Sequence, residues 1–224
     1  MSKAPVITID GPSGSGKGTI SQRLASQLGW YYLDSGALYR LLAYAALSES
    51  LDLGDSGALV ALAGRLRNSY QLADVDSAAI LLEGRDVAAE LRTESCADAA
   101  SKVAALPLVR QALLEWQRHY RQSPGLVADG RDMGTVVFPD ADLKLYLTAR
   151  PEVRAERRYN QLKYKGIFVD IDALVADVEQ RDARDASRKA SPLKPAADAL
   201  VVDNSDLDEA ATLALVLQAV RKIL

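Results

Sequence analysis

Thiols, imidazoles and long apolar runs are almost missing from this chain of 224 residues, which has one cysteine, Cys96, and one histidine, His119. One thiol excludes an internal disulfide and any cysteine zinc cluster, and it fits a reducing compartment; Cys96 reads as a small buried apolar residue. His119, between Arg118 and Tyr120, reads as a helix-surface residue without a catalytic role. No apolar run reaches the ~18 residues of a membrane span, and the N-terminus lacks the charged-then-apolar pattern of a signal peptide, so a cytoplasmic location is expected. A large excess of one charge sign is also missing: 27 Lys and Arg against 30 Asp and Glu give a net charge of −3. Nothing global points to nucleic acid or a membrane as partner. Aromatics make up only 6% of the chain, and Trp30, Trp116 and the Tyr31-Tyr32 pair read as packing rather than base-stacking platforms. There is no internal repeat, low-complexity tract or evident self-association surface, so a monomer is expected.

What is present begins with GPSGSGKGT at residues 11–19, which fits the phosphate-loop pattern G-x-x-x-x-G-K up to Lys17. Apolar Val6-Ile7-Thr8-Ile9 runs into it, and a helical pattern with Ile20, Leu24, Ala25 and Leu28 on one face follows. Strand, glycine loop and helix are the context the motif needs. Glycines 11, 14 and 16 let several N–H groups converge on an anion, the helix N-terminus adds its field, and Lys17 supplies an ammonium for terminal phosphates. One departure matters. Gly18 stands where Ser or Thr usually ligates Mg²⁺, leaving Thr19 to donate to a phosphate oxygen. The metal is then expected to be held through nucleotide phosphates and water, near Asp129, without a direct protein ligand.

Five short apolar runs read as buried parallel strands: Val6–Ile9, Tyr31–Leu33, Leu126–Ala128, Leu143–Leu147 and Leu200–Val202. Three of them end in or near an acid, Asp10, Asp34 or Asp129. Ligand sites of open parallel sheets lie at the carboxyl ends of the strands, so these acids are expected on the rim of the phosphate loop. Helical patterns cover Thr19–Leu28, Ala37–Ser48, Pro107–Arg121, Pro151–Lys165, Ile171–Lys189 and Asp206–Ile223, with Ser205 as the expected cap of the last. Residues 60–100 break the alternation. Tyr70–Leu72 and Ala79–Leu82 read as short strands around a polar turn at Asp74–Ser77, and Gly84 precedes a further turn at Arg85-Asp86, so a small, partly antiparallel insert is expected. Gly166 reads as a hinge after a basic helix.

Arginines stand where phosphoryl transfer between anions would need them. Arg40 follows the second strand, and Arg131 lies two residues past Asp129. Arg154, Arg157 and Arg158 cluster on one helix. Arg181, Arg184 and Arg188 fall along another, where pairing with Asp185 in a solvated salt-bridge lattice is an equal alternative.

The strings IDGPSGSGKGT (9–19), LDSGALYR (33–40), LEGRDV (82–87), ADGRDMGTVVFPDAD (128–142) and RDARDASR (181–188) resemble those of the bacterial cytidylate kinases, a branch of the nucleoside monophosphate kinases, over essentially the whole chain. An adenylate kinase would show DGFPR-like residues where Asp129-Gly130-Arg131-Asp132 stand; a shikimate-type kinase would have Ser or Thr at position 18. The resemblance implies a P-loop NTPase-type α/β fold: a parallel five-stranded sheet with helices on both faces, a small monophosphate-binding insert and a lid. The core would span about 1–34, 106–150 and 170–224, the monophosphate-binding region 35–105 and the lid 151–169. It implies that Gly11, Pro12 and Ser13 through Thr19 (Ser13, Gly14, Ser15, Gly16, Lys17, Gly18, Thr19) cradle ATP, with Arg154, Arg157 and Arg158 in a lid over the donor phosphates. Ser35, Arg40, Arg131 and Arg188 would hold the acceptor phosphate, Arg181 and Asp185 the sugar, and Ser101, Arg110 and Asp132 the cytosine edge. Lys17, Arg131, Arg158 and Arg188 would be the catalytic charges. The expected reaction is transfer of the γ-phosphate of ATP to CMP or dCMP, with Mg²⁺. The alternatives are a kinase of UMP or AMP, or a regulatory ATPase with no small acceptor.

Overall fold

The computed structural model describes residues 3–69, 80–82, 84–164, 166–188 and 190–223. The chain opens on β1 (Val6–Asp10), buried along its whole length. α1 (Lys17–Leu28) presses Ile20 and Leu24 on the sheet and stops at Gly29, whose left-handed backbone (φ 64°) returns its N–H to the carbonyls of Ala25 and Ser26. β2 (Tyr31–Asp34) runs straight into α2 (Ser35–Ser48), whose cap is Asp34, accepting from the Ala37 N–H at 2.9 Å. Then follow α3 (Ser56–Ser69), a two-residue antiparallel hairpin of β3 (Leu81–Leu82) and β4 (Arg85–Asp86), a 3₁₀ turn over Glu90–Arg92, and α4 (Glu94–Val103), capped by Thr93. α5 (Pro107–Arg118) leads to β5 (Leu126–Gly130), a π-helical turn over Met133–Val137 and β6 (Leu143–Thr148). α6 (Pro151–Tyr164) and α7 (Ile171–Ala186) form a helical hairpin before β7 (Leu200–Asp203) and α8 (Glu209–Val220).

The five long strands are all parallel, in the order β2-β5-β1-β6-β7. Alternation along β1 sends Ile7 and Ile9 to one face, where Leu24 of α1 and Val216 of α8 cover them. Val6 faces the opposite core, built with Leu41 and Leu42 of α2, Leu62 of α3, Val103 of α4 and Leu113 of α5. The register sets Asp10 beside Gly130, and Asp34 beside Asp129, so the three strand-end acids share the carboxyl rim as expected.

The region between α2 and α5, read as a small, partly antiparallel insert, keeps one antiparallel hairpin, β3–β4. Among the described residues it is mostly helical. Leu59, Leu62, Ala63 and Leu66 of α3 follow helical spacing and bury against α2 and α5, which overrides the low helix propensity of Gly57 and Gly64. Arg85 and Asp86 form the second strand of the hairpin rather than a turn, with Gly84 (φ 81°) making the reversal. Tyr70–Leu72, the turn at Asp74–Ser77 and Ala79 lie outside the described residues. The cap of α8 is Asp208, which accepts from the Ala211 N–H at 2.8 Å; Ser205 instead gives its hydroxyl hydrogen to Asp203. Gly166 (φ 75°) closes α6 with its N–H on the Lys163 carbonyl.

Candidate active site

The phosphate loop leaves β1 through Gly11, where a Cβ would stand 2.0 Å from the Leu147 carbonyl oxygen of β6; only glycine fits so close an approach. Gly16 (φ 84°) ends the loop as the N-cap of α1 and offers no side-chain cap, so the first-turn N–H groups of α1 are left for an anion. Lys17 is buried, and its Nζ donates to the Pro12 carbonyl at 3.1 Å. Burial, reinforced by Arg131 and opposed by Asp129, pulls its ammonium down to about 7. Asp129 sits at the rim under Gly18, and its Oδ2 accepts from Tyr32 Oη at 2.6 Å. Burial and neighbouring Asp34 push its carboxyl up to about 6, against the pull of Lys17.

Around this loop opens a cleft of about 1050 Å³, walled by the carboxyl rim, α2, α4, α6 and α7. It brings together Ser13, Gly14, Gly16, Lys17, Gly18, Thr19, Ser35, Arg40, Ser101, Arg110, Arg131, Asp132, Arg154, Arg157, Arg158, Arg181, Asp185 and Arg188. Gly11, Pro12 and Ser15 are buried and are not among its lining residues. Ser15 serves by its carbonyl, which accepts from Asn204 Nδ2 at 3.0 Å.

At the acceptor end the arginines are ordered by carboxylates. Arg40 pairs with Asp34 at 2.6 Å, and Arg110 with Asp132 at 2.5 Å while also donating to the Ala104 carbonyl. Asp185, almost wholly buried, holds Arg131 at 2.9 Å on one oxygen and Arg188 on the other. Burial would raise the Asp185 carboxyl, but Arg131 and Arg188 outweigh it and keep it below the ordinary range. Ser35 gives its hydroxyl hydrogen to Gln117 Oε1 at 2.8 Å. Ser101 Oγ and Arg110 Nε are buried without protein hydrogen-bond partners, and Arg110 lies over the Tyr39 ring at 5.5 Å. Burial, with Arg131 adding to it, lowers Arg181 to about 10; burial also lowers Arg188. Three cations of one cleft are thus held where their charge is disfavoured in the protein alone, which an anionic ligand would reverse.

The three arginines of α6 separate by partner. Arg154 donates to the carbonyls of Ala149 and Ser13 and to Asp182, so it braces the phosphate loop from behind. Arg157 donates to Asn204 Oδ1 at 3.1 Å and to the Asn204 carbonyl at 2.8 Å. Arg158 reaches across to Glu94 of α4, and Arg184 of α7 reaches Asp98 of the same helix at 2.9 Å. Sequence reasoning missed Asn204, Glu94, Asp98 and Gln117 as partners. Asn204 left the one usable signal, a polar residue just past the last strand.

The parallel sheet, the glycine loop on the N-terminus of α1 and the arginine-lined cleft above the strand ends define a P-loop NTPase-type α/β protein. The sequence model of the cytidylate kinase family matches residues 7–222. The cytidylate kinase of Shewanella loihica is 55% identical over 215 residues, covering 95% of this chain and 94% of that one. That of Shewanella sp. strain MR-4 is 56% identical over 216 residues, with the same coverage. An uncharacterized protein from Eubacterium ventriosum shares the fold at a TM-score of 0.50 and 12% identity, over 97% of this chain and 98% of its own. The chain belongs to the cytidylate kinase family.

Proposed function

We propose that this cleft transfers the γ-phosphoryl group of ATP to CMP or dCMP, giving ADP and CDP or dCDP. The observation that carries the reading is the Arg110–Asp132 couple, in the same cleft as the unpartnered Ser101 hydroxyl and the phosphate loop. Asp132 can accept from the N4 amino group of cytosine, while Arg110 and Ser101 can donate to N3 or O2. Uracil reverses the pattern at N3 and position 4 and meets repulsion there.

The acceptor phosphate is already an anion near neutral pH, so no side chain is needed as general base. One of its oxygens bonds to the γ-phosphorus while the bond to the β–γ bridging oxygen breaks. The protein's task is charge and position. Gly11 through Thr19 shape the donor cradle, with Lys17 neutralising charge that moves onto the bridging oxygen. Ser35, Arg40, Arg131 and Arg188 hold the acceptor phosphate, and Arg181 and Asp185 the sugar. Arg158 trades Glu94 for a donor phosphate, whereas Arg154 and Arg157 shape the loop and its flank. Residues 151–169, which include α6, act as a lid over a core and a monophosphate-binding region, and exclude water that would otherwise hydrolyse ATP.

Among the described residues no group of three or more His, Cys, Asp or Glu could hold a metal by itself. The buried Asp129 carboxyl under Gly18 fits a hydrated Mg²⁺ that arrives on the nucleotide. Bound there, the ion would supply further charge neutralisation to the phosphates. The reading also takes the protein as a monomer of the cytoplasm, without nucleic-acid or membrane partners.

The test is a coupled ADP-release assay with CMP, dCMP, UMP, AMP and no acceptor. CMP or dCMP is expected to exceed UMP in kcat/KM by ~100-fold or more, because each buried polar group left unpaired costs ~1–3 kcal/mol. Preference for UMP or AMP would replace the assignment, and release of ADP without any acceptor would favour an ATPase.

A further inference from the structure

Asp10 stands outside every role assigned above, yet it is buried where the two halves of the site meet. It is the last residue of β1, immediately before the phosphate loop, and is only 4% exposed. Its Oδ1 accepts from the Met133 N–H and its Oδ2 from the Gly134 N–H, both at 2.8 Å. These two N–H groups open the π-helical turn that follows Gly130-Arg131-Asp132. A helical turn leaves its first N–H groups unpaired, and the residue at its N-cap ordinarily accepts from them through its side chain. Here the N-cap residue is Asp132, and it makes no such bond. Its carboxylate is given to Arg110 instead. The turn is seated so closely on the sheet that a Cβ at Gly134 would stand 2.8 Å from Thr8 Oγ1, which brings its N–H within reach of Asp10.

We infer that Asp10 is a positioning residue for acceptor recognition: it caps the Met133–Val137 turn from the neighbouring strand and so frees Asp132 to read the nucleobase. The inference rests on the proposed cytosine-reading role of Asp132. The donor side is expected to change little, because the main chain of Asp10 is held between β5 and β6 and both its carboxylate oxygens are bonded to the turn.

Asp10→Asn keeps the shape but sets an amide NH₂ against one of the two backbone N–H groups. Asp132 then has an uncapped donor beside its own backbone and is drawn from Arg110. With CMP, UMP and ATP as varied substrates, the expected result is a rise of ~10-fold or more in KM for CMP, a narrowing of the CMP-to-UMP ratio by ~5-fold or more, and KM for ATP within ~2-fold of wild type. Equal changes in the two nucleotide KM values, or an unchanged CMP-to-UMP ratio, overturn the inference. A wild-type enzyme that ignores CMP overturns the acceptor assignment and this inference with it. A wild-type enzyme that uses CMP, beside a variant without the split, overturns the inference alone. Should the variant not fold, amide hydrogen exchange on the wild-type protein decides. The Met133 and Gly134 amides are expected to be protected by ~100-fold or more without nucleotide, and further slowed by CMP but not by ATP. Open-chain exchange at these two amides, or slowing by ATP alone, counts against it.

Discussion

Lys17 shows most directly how a single side chain sets function against stability. Although it belongs to a surface loop motif, it is buried and bonded to the carbonyl of Pro12 in its own loop. Its ammonium falls to about 7 in the folded chain against an ordinary 10.5, so the unfolded chain binds the extra proton between those values. Stability contributed by this group therefore rises with pH across that window, and at pH 6.5 the folded protein still carries the full cost of a buried charge. Lys17→Met is expected to lose ~100-fold or more in turnover, since the lost contact strengthens as charge develops. The same variant should melt higher than the nucleotide-free wild type by ~3–6 °C at pH 6.5, with the gain shrinking by pH 9.5; paired thermal scans check it. At the acceptor end, Asp132→Ala should lower kcat/KM for CMP by ~10-fold or more and narrow the CMP-to-UMP ratio, measured with both substrates. An unchanged ratio would reduce Asp132 to a counter-ion of Arg110. The identities of these residues were legible in the short motifs, because glycine spacing and strand-end acids carry their own chemistry. Their pairings were not. That Asp185 would hold both Arg131 and Arg188, or that Arg158 would meet Glu94, depends on side chains 64 to 3 positions apart and is decided only by packing.

Among the elements, the central strands β1, β5 and β6 were readable as apolar runs because the sheet is covered on both faces there, whereas the edge strands β2 and β7 are apolar runs that stay partly exposed. The helices α3 and α4 were not recovered. Both are rich in small residues, and the apolar face of α3, with Leu59, Leu62 and Leu66, gains meaning only once α2 and α5 are there to receive it. The hairpin α6–α7 carries its own small apolar cluster, Ala155, Leu162 and Leu174, and holds together apart from the main core. At its tip Tyr164 is 96% and Phe168 84% exposed, on the two sides of Gly166. Chymotrypsin is expected to cut free protein at these aromatics first. ATP with CMP, or a linked bisubstrate analogue, should slow that cleavage by ~10-fold or more if the hairpin closes on both nucleotides. Equal digestion with and without nucleotides would count against a closing lid.

For the whole molecule, the buried acids of the rim set a pH response that differs from that of Lys17. Asp10 is pushed to about 7 and Asp129 to about 6, chiefly by burial. Both folded values lie above the ordinary 3.8, so the native state binds more protons between about 4 and 7, and the stability these groups contribute falls as pH rises through that window. Nucleotide-free protein should therefore lose melting temperature from these groups between pH 5 and pH 7. Asp10→Asn should flatten that slope, which pH-resolved thermal scans can read. The two ion pairs that span the cleft, Arg158–Glu94 and Arg184–Asp98, carry a different consequence. They join the hairpin to α4, and both lie at the solvent edge. Exposed pairs of this kind are weak and are screened over about 8 Å at physiological ionic strength. Added salt thus loosens the cleft from outside while leaving the buried couples within it untouched. Ionic strength then becomes a throttle on traffic through the cleft: moderate salt should speed nucleotide entry and departure before higher salt weakens the grip on phosphate.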